Sequence, residues 1–296
     1  MHLTDTVNPR PDPPFSRKRE RIFNFAPTQA EIMLHSALIN VMVKAARRAG
    51  RGLNRDLGEV ENLQVSLKGP ANFVSLADKR AEEMLYSDLS KARPGYGFIG
   101  EEGGTRVGDD KTHTWIVDPL DGTTNFLHGI PQFAISIALQ RESTVIAGVI
   151  YNPANDELYL AERGKGAFLN DQRLRVAGRR KLEECVIACG LPHIGRGDHE
   201  LSRAEMTEIQ NRVAGLRRFG AASLDMAFVA AGRLDGYWEH NLQPWDMAAG
   251  QIIVREAGGI VSGIAGDDDP LKTGHVICGN EFVHAELVKI LKPLGN

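Results

Sequence analysis

The segment Trp115-Ile-Val-Asp118-Pro-Leu-Asp121-Gly-Thr-Thr-Asn125 carries the densest chemistry in the chain. A short apolar run ends in Asp118, and Pro119 has no N–H with which to continue a ladder. The Asp118 carboxylate is therefore expected at the carboxyl end of a buried strand, facing the crevice where ligands of layered folds bind. Asp121 follows across a tight turn. Gly122 allows close approach of the backbone to a ligand, and Thr123, Thr124 and Asn125 offer hydroxyls and N–H groups suited to a phosphate oxygen. Asp-Pro and Asp-Gly alone are ordinary turn formers. Glu101 and Glu102 lie between Phe98-Ile-Gly100 and Gly103-Gly104, a second strand end passing into a loop, where solvated charge is the plain alternative. Asp246 stands at the expected N-cap of an apolar helix closed by Gly258 and Gly259, a position that capping alone would explain. If Glu101, Asp118, Asp121 and Asp246 converge, their repulsion favours protonation unless cations sit among them. An all-oxygen set without His or Cys suits Mg2+ better than zinc, and Mg2+ shared by carboxylates and a substrate phosphate implies phosphoryl chemistry.

Gly100-Glu101-Glu102, Asp118 to Asn125 and Trp245-Asp246-Met-Ala-Ala-Gly250 resemble, in the same order, the metal-binding motifs of the inositol monophosphatase family. Gly164-Lys-Gly-Ala-Phe-Leu-Asn170 and Phe219-Gly-Ala-Ala-Ser223 are similar to the family too, so the likeness spans residues 30–293. The resemblance implies an α+β fold, a layered αβαβα sandwich. It implies that Glu101, Asp118 and the Leu120 carbonyl hold one Mg2+, that Asp118, Asp121 and Asp246 hold a second, and that a third, weaker ion lies near Glu101. The activity implied is hydrolysis of inositol 1-phosphate, or a similar polyol phosphate, by in-line attack of a metal-activated water. Catalytic roles would fall to Glu101, Thr123 and Asp78, the last two orienting or deprotonating that water. Gly122 and Thr123 would offer backbone N–H groups to the phosphate, while Ala222, Glu239 and Asp246 would meet the rest of the substrate. The family also implies a homodimer and sensitivity to lithium. One departure is Ala221, where many relatives carry Ser or Thr, so a hydroxyl that could orient the alcohol is missing. Relatives that use the same metal residues on fructose 1,6-bisphosphate, histidinol phosphate or nucleotide phosphates remain alternatives, and a binding role with the transcription machinery is a remote one. An aspartyl-phosphate phosphatase of the haloacid dehalogenase kind is disfavoured, because that signature separates its aspartates by one residue whereas Pro119 and Leu120 intervene here.

The elements that must position these residues are legible in the periodicity. Thr28 and Glu31 have capping-box spacing, and Ile32, Leu38, Ile39, Met42, Ala45 and Ala46 recur at helical intervals up to Gly50, which is expected to stop the helix. A second helix should begin near Ser75 and end before Pro94, with Asp78 in its first turn, where a capping role is also open to it. Strand-length runs follow at Trp115–Val117, Phe133–Leu139, Val145–Tyr151, Glu157–Ala161 and Ala167–Leu169, separated by turn signals, and predict an antiparallel meander. Beyond Val186 the pattern alternates: a strand at Val186–Cys189, a helix over Glu200–Leu216, then segments at Ser223–Ala231, Gly236–Glu239, Asp246–Ala257, Gly259–Val261 and His275–Cys278, and a final helix from Glu281. The organisation expected is an arm at residues 1–27, an α+β part at 28–180 carrying the first motifs, and an α/β part at 181–296 supplying Glu239 and Asp246.

The 296 residues are 42% hydrophobic, enough for one large core or two that share a face. A net charge of −3 gives no general attraction to nucleic acid or anionic lipid, and the Arg17–Arg21 cluster reads as solvated. Cys185, Cys189 and Cys278 are too few and too irregular for a disulfide framework or a zinc site, so buried thiols are expected. No apolar run approaches the ~18 residues that cross a bilayer, and residues 1–27 lack the apolar centre of a signal peptide, which points to the cytoplasm. His113, His128, His193 and His240 are not spaced as ligand pairs and read as surface or loop histidines.

Overall fold

A computed structural model describes residues 35–57, 65–69, 72–266 and 269–295. The arm at 1–27 and the Thr28–Glu31 box lie outside the described residues. In chain order the elements are α1 (Ala37–Leu57), β1 (Val65–Gly69), β2 (Asn72–Ser75), α2 (Leu76–Ala92), β3 (Gly97–Gly100), β4 (Gly104–Arg106), β5 (His113–Asp121) and α3 (Thr123–Leu127). The meander comprises β6 (Ala134–Arg141), β7 (Thr144–Asn152), β8 (Glu157–Glu162), β9 (Gly166–Leu169) and β10 (Gln172–Arg173). Then come β11 (Val186–Cys189), α4 (His199–Gln210), β12 (Gly215–Arg217), α5 (Ala222–Ala230), β13 (Gly236–Glu239), α6 (Pro244–Glu256), β14 (Ile260–Ser262), α7 (Pro270–Thr273), β15 (Val276–Gly279) and α8 (Glu281–Leu291).

Strands β10-β9-β8-β7-β6-β5-β3-β4 form an eight-stranded sheet, and β12-β11-β13-β15-β14 a five-stranded one. From β5 to β10 every pairing is antiparallel, as the alternation of apolar runs and turns requires. Helices α1 and α2 bury Met42, Leu53, Leu85 and Leu89 against one face of the large sheet. Helices α5 and α6 fill the space between its other face and the small sheet. The far face of the small sheet is covered by α4 and α8. The layering is αβαβα, and the apolar residues of α5 and α6 face both ways because both of their sides are buried. Gly148 and Gly250 permit this closeness: a Cβ on Gly148 would lie 2.9 Å from the Ala249 carbonyl, and one on Gly250 would lie 2.7 Å from Met226 Cβ.

Four local expectations are corrected. Helix α1 runs through Gly50 to Leu57, because Gly50 is a contact surface and not a stop: a Cβ there would fall 2.6 Å from the Tyr151 ring. Strand β5 continues past Asp118 to Asp121, with the register shifting between them so that Asp118 pairs with Ser136 and Asp121 with Ala134. Pro119 and Leu120 bulge out of the ladder, since proline supplies no N–H. The helix expected over Glu200–Leu216 ends at Gln210, and Gly215–Arg217 instead pairs in parallel with β11. Asp246 is the third residue of α6 and not its N-cap; Gln243 caps the helix and Pro244 occupies the first turn, where its missing N–H costs nothing. The three cysteines are buried and free, as expected.

Candidate active site

The bulge at the end of β5 determines how its two aspartates point. Asp118, 2% exposed, folds back so that Oδ1 accepts the Leu120 N–H at 2.9 Å. Asp121 is anchored from α5: its Oδ2 accepts the Ser223 N–H at 2.8 Å and the Ser223 hydroxyl at 2.5 Å. Asp246 reaches back along α6 to accept the Gln243 N–H at 2.7 Å, completing a capping box. Each carboxylate is thus tied through one oxygen, an arrangement that fixes the aim of the other. Glu101 sits on the turn after β3, and that turn is pinned from α2 by a residue without an expected role. Glu82, 4% exposed on α2, accepts the Glu102 N–H at 2.8 Å and the Gly103 N–H at 2.6 Å. Glu82 lies one turn beyond Asp78 on the same face, and that spacing is the one signal of it the sequence carries.

The electrostatics tie the carboxylates together. Burial pushes Asp118 well above the usual carboxylate range, and the charges of Glu101, Asp121 and Asp246 push it the same way. Asp246 is raised by burial and by Asp121, against the pull of the Gln243 N–H. Asp121 is raised by burial despite the Ser223 bonds. Among the described residues no three His, Cys, Asp or Glu side chains stand close enough to hold a metal ion as they are. The fit to a hard cation rests on the donor chemistry: buried, mutually repelling oxygen donors whose charge a cation would compensate.

Beside this cluster lies a cavity of about 420 Å³ whose wall includes Asp121, Gly122, Thr123, Ala222, Glu239 and Asp246. Gly122 has φ 88° at the start of α3, and a Cβ there would meet the Gln132 carbonyl at 2.9 Å, so only glycine makes this turn. The Thr123 hydroxyl lies 3.2 Å from Asp78 Oδ1 and 3.1 Å from the Leu120 carbonyl, linking α2 to the aspartate turn. Asn125 departs from its expected role: it is buried, and its amide donates to the Gln132 and Phe219 carbonyls, both at 2.8 Å. It braces the loop before α5 and does not face a ligand.

Glu239 ends β13 and shares the cavity wall with Gly190, where any Cβ would collide with its carboxyl group. Burial lifts Glu239 to about 7, partly opposed by the hydrogen bond from the Tyr237 hydroxyl. Asp225 on α5 is also raised well above its ordinary range by burial and by Glu239, and its Oδ1 is buried with no hydrogen-bond partner. His113, at the start of β5, stacks on Tyr96 and bonds Asp110, and exposed His128 bonds the Thr124 carbonyl. His193 and His240, also expected to be uninvolved, line the cavity instead. His240 is held by Glu205, whose other oxygen accepts the Trp238 indole N–H at 3.0 Å. Arg196 and Arg218 line the cavity as well, and nothing in their local sequence distinguishes them from solvated loop charges.

Residues 34–295 match the family model described as the Inositol monophosphatase family. The Inositol-1-monophosphatase of Mesorhizobium japonicum is 60% identical over 264 residues, covering 89% of this chain and 99% of that protein. The Nus factor SuhB of Pseudomonas aeruginosa is 40% identical over 262 residues, covering 86% of this chain and 96% of that one. Among solved structures, the extragenic suppressor protein suhB from Bartonella henselae superposes with a TM-score of 0.85 at 57% identity, over 87% of this chain and 99% of that chain.

Proposed function

The chain belongs to the inositol monophosphatase family, and on that premise we propose that it is a Mg2+-dependent phosphomonoesterase acting on inositol 1-phosphate or a closely similar polyol phosphate. The observation that carries the reading is the gathering of carboxylates from three separate segments: Asp121 and Asp246 line one cavity, and buried Asp118 feels the charges of Glu101, Asp121 and Asp246. Glu101, Asp118, Asp121, Asp246 and the Leu120 carbonyl would hold the metal. When bound, Mg2+ supplies the Lewis acidity that activates a water and offsets charge on the phosphoryl and leaving oxygens.

The remaining work falls to the chain. Gly122 and Thr123 present backbone N–H groups at a helix start, a setting that favours phosphate oxygens. The Thr123 hydroxyl can donate to Asp78 Oδ1 and keep its lone pairs for the proton of an attacking water, with Asp78 as the acceptor behind it. Asp78 is 1% exposed, so its carboxylate is shielded from bulk solvent. Ser223 favours the ionised form of Asp121 by donating two hydrogen bonds to one oxygen, against the burial that raises it. Glu239 and Ala222, in the same cavity wall, would meet the alcohol portion, with Glu239 accepting from substrate hydroxyls. Fructose 1,6-bisphosphate, histidinol phosphate and nucleotide phosphates are the competing substrates for the same chemistry. A homodimer, inhibition by lithium and a cytoplasmic setting belong to the same proposal; no described helix is long and apolar enough to cross a membrane.

Phosphate release by the purified chain from inositol 1-phosphate and those three alternatives, with Mg2+ and with chelator, tests the reading. Magnesium-dependent preference for inositol 1-phosphate is expected. Dominant turnover of another ester would overturn the substrate, and silence on all would overturn the activity. A second reading, a binding role in transcription, is favoured by the relatives named Nus factor SuhB. Deleting residues 1–27 separates the two where that role depends on the basic arm, since a catalyst keeps its turnover and such an interaction fails.

A further inference from the structure

Helix α2 meets the site along one stripe. Asp78, Glu82 and Tyr86 recur at intervals of four residues, so their side chains lie one above the other on one face of the helix. Asp78 accepts the Thr123 hydroxyl at 3.2 Å. Tyr86 packs edge-on against Phe98 of β3, with ring centroids 5.2 Å apart, and the Arg106 guanidinium of β4 lies 3.9 Å from its ring centroid. Between these two contacts Glu82 faces the turn that joins β3 to β4. Its oxygens act separately, Oε2 accepting the Glu102 N–H at 2.8 Å and Oε1 the Gly103 N–H at 2.6 Å, so one buried carboxylate fixes two successive peptide groups. The first of those groups includes the Glu101 carbonyl, and the placement of Glu101 is thereby set from α2.

The glycines of the turn are accounted for by the same grip. A Cβ on Gly100 would fall 2.5 Å from Oε2 of Glu82 and 2.7 Å from the Phe98 ring, and one on Gly103 would fall 2.6 Å from Oε1. Neither glycine has a positive φ, so room for Glu82 explains them and conformational freedom does not. Asp121 and Asp246 are anchored elsewhere, from α5 and from within α6.

We infer that Glu82 is the positioning residue for the cation proposed between Glu101 and Asp118, acting through the Glu101 backbone. The inference rests on the phosphomonoesterase reading and deepens it: one helix, with Asp78 and Glu82 a turn apart, sets both the Asp78–Thr123 pair and the Glu101 turn.

The test is Mn2+ binding to the full chain without substrate, followed by calorimetry and electron paramagnetic resonance. The variants are Glu82→Gln, Gly103→Ala, Glu101→Gln and the double variant of Glu82→Gln with Glu101→Gln, and Glu83→Gln, at an exposed neighbour on α2, is the control. Gly103→Ala disturbs the grip from the exposed turn and leaves the buried face of α2 alone. Glu82→Gln and Gly103→Ala should each weaken one class of Mn2+ site about 10- to 100-fold, the class lost in Glu101→Gln, and leave the other class unchanged. The double variant should bind no more weakly than Glu101→Gln alone, since Glu82 acts through Glu101. Unchanged Mn2+ binding in Glu82→Gln and Gly103→Ala, even with a lowered Tm, overturns the inference and leaves the metal reading intact. Equal weakening of both classes, or a further loss in the double variant, also overturns it, because the loosening is then general. If no ester is turned over but the selective weakening is seen, the phosphatase reading fails and the positioning role stands. A full chain that binds no Mn2+ overturns both.

Discussion

Two parts of the cavity wall differ: Asp121 and Asp246 are each held through one oxygen by N–H groups of their own fold, whereas Arg196 and Arg218 stand exposed and make no ion pair among the described residues. The first is rigid because its carboxylates sit on a strand end and a helix start between packed layers. The second is carried by loops that follow β11 and β12. The contrast separates two tasks. Phosphoryl chemistry needs charges fixed before the substrate arrives, whereas recognition of the alcohol portion can use side chains that gain their partner only on binding.

The largest expected effect breaks the rigid part. Asp118→Asn removes a proposed shared metal ligand and should lower turnover by at least about a thousandfold with an unaltered circular dichroism spectrum, in keeping with several kcal/mol of metal-derived stabilisation. Near-normal activity would remove the metal assignment. Ser223→Ala cuts the hydroxyl bond to Asp121 but keeps the backbone one, and should raise the Mg2+ concentration for half-maximal activity about 10- to 100-fold, as for other groups that orient ligands. An unchanged magnesium titration would show that Ser223 only packs.

A further part of the cavity wall is tested by Glu239→Gln. It should reduce kcat/KM for inositol 1-phosphate about tenfold more than for an aryl phosphate that lacks hydroxyls. Equal losses on both would deprive Glu239 of its proposed role. The smallest effect is a pH dependence of stability. Folding raises Glu239 from 4.5 to about 7, so its stabilising contribution is complete below about pH 4.5 and is lost as the pH rises through 7. In chelator, Tm should therefore fall between about pH 5 and 8, and Glu239→Gln should remove part of that fall. Identical slopes in the two proteins would contradict the sign or the site of the effect.

What the sequence made legible follows the same division. The meander was readable because local periodicity and turn residues express it directly, whereas the αβαβα layering followed from the resemblance of the motifs, and the strand end expected at Asp118 falls at Asp121 because a bulge lets pairing resume. Gly50 was misread because its partner, Tyr151, comes from a distant strand, and no local pattern announces a glycine needed for another element's ring. The cap of α6 was misplaced although Pro244 marked the first turn in plain view. Glu82 hid because a helical glutamate is ordinarily solvated, and only its burial shows that it pins the Glu101 turn. Arg196 and Arg218 carried no signal at all, since isolated loop arginines acquire meaning only through the wall they share.

The most direct test of the metal claim is an anomalous diffraction map from crystals soaked in Mn2+, a hard octahedral surrogate for Mg2+. Peaks among Asp118, Asp121 and Asp246, and between Asp118 and Glu101, are the expected result. Ordered protein with no peak touching Asp118 would contradict the account.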